Sequence, residues 1–151
     1  MLAYTQLKDN ERKKLRDIIP LEKPFTLVIE PSSLCNFRCI MCFQSIHGNS
    51  YFNANKRNMQ LETFRLIVRQ MSQWGGDKLK VLKLSLYGEP LMNPQFCEML
   101  ALARNAEIAE RIETTSNVSL LTPEISEGLV NGGWIISESL LTHHIRKSTL
   151  K

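Results

Sequence analysis

The chain has 151 residues, 43% of them hydrophobic, enough for one domain with a buried core. Nineteen Lys and Arg against 15 Asp and Glu leave a net charge of +4, with no basic stripe or interleaved aromatics, so a nucleic-acid partner is not expected. No apolar run approaches the ~20 residues that span a bilayer, and the charged opening MLAYTQLKDNERKKLRD lacks the apolar stretch of an export signal, so no membrane partner and a cytoplasmic location are expected.

Leu7, Leu15, Ile18 and Ile19 stand among charges over residues 6–19 and predict a short amphipathic helix, which Pro20 and Pro24 end. Phe25 to Glu30 is an apolar run rich in β-formers, expected as a buried strand, and residues 31–58 read as a long loop. Leu61, Phe64, Ile67, Val68 and Met71 recur at helical spacing up to Trp74, and Gly75-Gly76 stops that helix. Leu79 to Tyr87 alternates apolar and polar residues and predicts a second strand, followed at once by Gly88-Glu89-Pro90. Asn93-Pro94 reads as an N-cap with proline at the first helical position, opening a helix that runs to about Ala106. Ala109 to Thr115 is a weaker third strand ending at Ser116-Asn117. Thr122-Pro123-Glu124 caps a last helix, which Gly132-Gly133 ends. Strands alternating with helices at this rhythm predict an α/β fold with a parallel sheet.

In a reducing compartment the four cysteines read as metal ligands before disulfides. Cys35, Cys39 and Cys42 form a C-x3-C-x2-C run. Neither helical nor strand periodicity points three such thiols the same way, so they converge only in a loop. Three ligands leave one iron of a 4Fe-4S cluster without cysteine, and an open metal position is what chemistry at a metal needs. Cys97 falls within a predicted helix among Phe96, Met99 and Leu100, where a buried structural thiol is expected. Two alternatives remain open on ligand chemistry: a zinc site completed by His47, and a small iron-sulfur electron-transfer or cluster-carrier protein completed by Cys97 or His47.

A C-x3-C-x2-C run at the end of a first strand resembles the signature of the radical S-adenosylmethionine (radical SAM) superfamily. The resemblance covers about residues 25–133. It implies that Cys35, Cys39 and Cys42 hold three irons, while the amino and carboxylate groups of S-adenosyl-L-methionine chelate the fourth. Met41 stands where the family often has an aromatic residue near the adenine, with Phe37 and Phe43 nearby. Gly88, Glu89 and Pro90 resemble the stretch that helps bind the cofactor's amino group; Tyr87 replaces a frequent second glycine. Glu113 to Asn117 is similar to the strand end that approaches ribose and carboxylate, with Ser116 and Asn117 as the contacts. These motifs fall at the C-terminal ends of successive strands, where (β/α) barrels build their sites.

The resemblance thus implies a partial (β/α) barrel of about three to four βα units: an N-terminal helical arm over 1–24, a partial radical SAM core over 25–133 and an atypical tail over 134–151. The implied reaction is reductive cleavage of the cofactor to a 5′-deoxyadenosyl radical that abstracts a substrate hydrogen. A one-electron donor such as a flavodoxin or ferredoxin is the implied partner, and no side chain is singled out as catalytic. The Pro31-Ser32-Ser33 lead-in resembles peptide- or sugar-modifying members.

After Gly133 the pattern departs from the family's alternating fourth strand. A permitted coding sequence for residues 133–142, read from the third base, gives Leu-Asp-Tyr-Ile-Arg-Ile-Ser-Ile-Asp, a period-two strand; its first Asp is forced by the codons of Trp134 and Ile135. The reading favoured by this pattern is a frame interrupted or shifted after Gly133, an incomplete or inactive fragment, and a complementing downstream polypeptide as a further partner. An incomplete barrel would leave a strand edge unpaired.

Overall fold

The computed structural model describes residues 14–46 and 56–132. The part of the predicted first helix that is described is a single 3-10 turn, Leu15–Asp17. Three strands follow: β1 (Thr26–Val28), β2 (Leu79–Lys83) and β3 (Ala109–Glu113). Four helices accompany them among the described residues: α1 (Phe43–Ile46), α2 (Leu61–Gln73), α3 (Phe96–Asn105) and α4 (Pro123–Asn131). The strands pair in parallel in the order β1-β2-β3, with Leu27 beside Leu82 and Leu82 beside Ile112. This is the expected α/β arrangement of parallel strands joined by helices, and the sheet is open rather than closed.

The core lies on one face of the sheet. Leu82, Leu84 and Ile112 are buried there with Leu61, Phe64, Val68 and Met71 of α2 and Phe96, Met99, Leu100 and Ala103 of α3. The spacing of the α2 residues puts four apolar side chains on one stripe, and the stripe faces inward. Phe64 and Phe96 lose essentially all contact with water, a transfer gain of about 2–3 kcal/mol each. Thr122 caps α4 as its sequence predicts, accepting the amide of Ile125 at 3.3 Å with Pro123 behind it. Alternate strand residues point away from this core: Val28 is 46% exposed, and Arg111 pairs with Glu113 at 2.7 Å.

Several elements differ from expectation. β1 keeps only Thr26–Val28 of the strand expected over 25–30 and is exposed or half-buried rather than buried, α1 forms inside the expected loop over 31–58, and β3 ends at Glu113 rather than Thr115. β2 ends at Lys83 rather than Tyr87; one more cross-strand bond follows, from the Leu84 amide to the Glu113 carbonyl at 2.8 Å, and the amides of Tyr87 and Gly88 donate instead to the carboxylate of Glu30. α3 begins at Phe96 rather than at Pro94. Asn93 is drawn elsewhere: its amide donates to the carbonyls of Pro31 at 2.8 Å and Met59 at 3.0 Å, while its oxygen accepts from Gln95. Residues Pro90–Met92 form a separate 3-10 turn ahead of it. The predicted tail over 134–151 and His47 lie outside the described residues, as does the remainder of the first predicted helix.

Candidate cluster and cofactor site

The cysteine loop leaves β1 under tight control. Pro31 and Ser32 are buried, and the carbonyl of Pro31 accepts from Met59 at 2.8 Å. Ser33 and Arg57 exchange backbone and hydroxyl bonds of 2.9–3.1 Å, and Ser32 bridges Asn58. The returning segment 57–59 therefore fixes the stem from which the thiols project.

Beyond the stem, the amide of Phe37 lies 3.4 Å from the sulfur of Cys35, and the Arg38 guanidinium donates to the Cys35 carbonyl at 3.1 Å. A tight turn with the Cys42 amide on the Cys39 carbonyl at 3.0 Å leads into α1. Cys39 is exposed; Cys35 and Cys42 are half-buried. Met41 sits on this turn and is 61% exposed. Burial pushes the Cys35 thiol up, the Phe37 amide partly offsets this, and the negative charges of Glu89, Cys39 and Cys42 push it further in the same direction. Among the described residues no three Cys, His, Asp or Glu side chains are brought together closely enough to hold a metal ion, so the three thiols share a loop without converging on one point.

Below the loop, Glu89 is 3% exposed and hydrogen-bonded through both carboxylate oxygens. Its Oε1 accepts the amide of Leu91 at 3.0 Å and the hydroxyl of Ser116 at 2.7 Å, and its Oε2 accepts the amide of Asn117 at 2.7 Å. One carboxylate thus ties the end of β2 to the end of β3, capping the Pro90–Met92 turn at the same time. The Glu89 amide donates to the carbonyl of Leu34 at 2.7 Å. Gly88 is held so close to the loop that a Cβ there would lie 1.9 Å from the Ser32 carbonyl oxygen. Asn117 donates to Asn36 at 3.0 Å, and Asn36 donates to Ser119 at 2.8 Å, so a residue inside the cysteine motif reaches the third motif directly. Phe43, next to Cys42, packs on Tyr87 with ring centroids 5.5 Å apart.

All three predicted motifs are therefore in direct hydrogen-bonded contact. Cys97 is not part of them: its sulfur lies on α3 against Gly128, 3.9 Å from the carbonyl of Ile125, and burial pushes its thiol up. Sequence reasoning missed Glu30, Asn36 and Asn93. A carboxylate ending an apolar run, and asparagines flanking the motifs, were the available signals.

Thiols are the donor type that an iron-sulfur cluster takes. Three thiols share one loop, and the groups around Cys35 that repel its thiolate are relieved by a cationic centre.

A model of the radical SAM superfamily matches residues 29–143. The chain belongs to that superfamily. Among curated relatives, it is 25% identical over 105 residues to GTP 3′,8-cyclase of Cronobacter sakazakii, covering 70% of this chain and 30% of that one. It is 29% identical over 107 residues to the tungsten-containing aldehyde ferredoxin oxidoreductase cofactor-modifying protein of Pyrococcus furiosus, covering 71% of this chain and 28% of that one. The chain therefore spans less than a third of the length of these two relatives. In fold it is similar to BtrN, solved in complex with AdoMet and 2-DOIA, with a TM-score of 0.58 at 19% identity over 72% of this chain and 42% of that one. No described helix is long and apolar enough to cross a membrane.

Proposed function

We propose that this chain binds a 4Fe-4S cluster through Cys35, Cys39 and Cys42 and holds S-adenosylmethionine beside it, as the cofactor-binding part of a radical SAM enzyme. The observation that carries the reading is the direct bonding of all three motifs: Leu34 to Glu89, Asn36 to Asn117, and Glu89 to Ser116 and Asn117. A cluster held by Cys35, Cys39 and Cys42 would supply, once reduced by an external one-electron donor, the electron for cleavage of S-adenosylmethionine to methionine and a 5′-deoxyadenosyl radical able to take a hydrogen atom from a substrate.

The chain's own share is binding and orientation. The amides of Tyr87, Gly88 and Glu89 are all donated within the protein. What this loop offers a ligand is thus acceptors, the carbonyl of Gly88 and the remaining lone pair of Glu89 Oε2, which suits an ammonium group. Ser116, Asn117 and Pro90 hold those acceptors in place from β3 and from the 3-10 turn. Met41, exposed on the cysteine turn, lies free to cover the adenine.

Residues 25–133 form the functional unit in this reading, with the arm over 1–24 and the tail over 134–151 outside it. A one-electron donor such as a flavodoxin or ferredoxin and a peptide- or sugar-type substrate are its partners, the remaining barrel wall comes from a further polypeptide segment, and the cytoplasm is its compartment. The helical placement of Cys97 against α4 speaks against its completing the cluster as in an electron carrier.

Anaerobic reconstitution with iron and sulfide, followed by addition of S-adenosylmethionine, tests the proposal. The expected result is a cluster whose electron paramagnetic resonance spectrum changes on addition of the cofactor. A cluster indifferent to it, or tight zinc with no stable cluster, would overturn the reading.

A further inference from the structure

The geometry points to Glu30 as the positioning residue that sets the orientation of the Tyr87–Gly88 peptide, and through it the acceptors offered to the cofactor. The inference rests on the cofactor-site reading above, and it adds a residue that none of the three motifs contains. Glu30 stands two residues beyond β1, at the mouth of the sheet. A single oxygen, Oε1, accepts both the amide of Tyr87 at 2.8 Å and the amide of Gly88 at 3.0 Å. The next amide, that of Glu89, goes to the Leu34 carbonyl at 2.7 Å. Three consecutive N–H groups are thus committed to residues between 30 and 34, and two of the three depend on one side chain.

Local rigidity makes that dependence matter. β2 has stopped at Lys83, so no strand ladder holds residues 86–88. Gly88 has no side chain to anchor its peptide, and the Ser32 carbonyl fills the space a Cβ would need. Glycine peptides rotate with less resistance than any other. Without the Glu30 acceptor, two amides in a half-buried loop lose their partners, and the cheapest relief is rotation of the peptides toward water. The carbonyls in those two peptides are those of Leu86 and Tyr87, and the Gly88 carbonyl follows them because Gly88, the loosest backbone link in the loop, joins it directly to the turning Tyr87–Gly88 peptide.

Two variants separate positioning from general support. Glu30→Gln keeps an oxygen able to accept both amides; Glu30→Ala removes it. After anaerobic reconstitution of the full chain, Glu30→Ala is expected to retain iron at the wild-type level per chain. It should bind S-adenosylmethionine about tenfold more weakly by calorimetry, with Glu30→Gln within about threefold of wild type. Unchanged affinity in Glu30→Ala would overturn the inference. So would loss of iron together with affinity, which would make Glu30 a support for the whole loop, or a glutamine variant as weak as the alanine one. Hydrogen exchange of residues 86–89 in the cofactor-free chain reads the same bonds independently. Faster exchange there in Glu30→Ala, with α2 and α3 unchanged, supports the assignment, and unchanged exchange refutes it. That second measurement decides the role of Glu30 even if the wild-type chain binds no S-adenosylmethionine, an outcome that would sink only the cofactor reading.

Discussion

Glu89 is a structural clasp before it is a ligand, and removing it should unfold the junction of β2 and β3 whether or not a cofactor is present. Its carboxylate accepts the amide of Leu91, the hydroxyl of Ser116 and the amide of Asn117 at 3.0, 2.7 and 2.7 Å, and the residue is 3% exposed. At ~1–1.5 kcal/mol for each buried donor stripped of its acceptor, Glu89→Ala costs about 4 kcal/mol. That is a large part of the ~5–15 kcal/mol that holds an ordinary domain together. Glu89→Gln keeps one oxygen to serve Leu91 and Ser116 but turns an amide N–H toward that of Asn117, which costs about 2 kcal/mol. Urea titration of the cluster-free chain, followed by circular dichroism, reads both. With a slope of ~2 kcal/mol/M the midpoint falls by ~2 M for alanine and ~1 M for glutamine. Should the alanine chain already be unfolded in water, the glutamine variant carries the measurement. An alanine midpoint within ~0.3 M of wild type would refute the reasoning and leave Glu89 as a ligand contact alone.

Gly88→Ala places a methyl group 1.9 Å from the Ser32 carbonyl oxygen and 2.8 Å from that of Leu34, two backbone atoms that cannot yield separately, so the cysteine loop is displaced. Iron per chain and the melting temperature are both expected to drop; wild-type values for both would show that the loop stem moves freely. Cys35→Ala, Cys39→Ala and Cys42→Ala are each expected to abolish stable cluster incorporation while Cys97→Ala keeps it, measured as iron per chain after reconstitution. In the cluster-free chain, burial holds the Cys97 thiol protonated above the usual cysteine range, so iodoacetamide should modify Cys97 more slowly than exposed Cys39 at pH 8. The thiolate fraction of Cys97 grows as pH rises toward that raised value, so its rate climbs through and beyond pH 9; a flat pH profile would contradict this.

The features legible in the sequence were those whose causes are local. Leu61, Phe64, Val68 and Met71 announce α2 by spacing alone, and Thr122-Pro123 announces α4 because a cap needs only its own next turn. The cysteine triplet was legible as a loop site for the same reason. The end of β2 was not. Alternation runs on to Tyr87, yet the amides of Tyr87 and Gly88 are taken by the side chain of Glu30, more than fifty residues away in the chain. Asn93 looked like a cap beside Pro94, and its oxygen does take the nearby amide of Gln95, but its side-chain amide goes to Pro31 and Met59, which no local pattern joins to it. Glu89 was legible as part of a motif, whereas its bonds to Ser116 and Asn117 required the register of β2 against β3.

The connections between the strands carry a consequence for the order in which the chain assembles. β2 reaches β3 across α3 alone, while β1 reaches β2 only across the whole cysteine loop and α2. The shorter closure costs less chain entropy and can be bought early, by the apolar faces of α3 and β3 meeting; the longer one follows. On closure entropy alone, the segment that carries the thiols is expected to dock after β2 and β3 have paired. A metal donor meeting the nascent chain finds three sulfurs still reachable while the platform beneath them has already set.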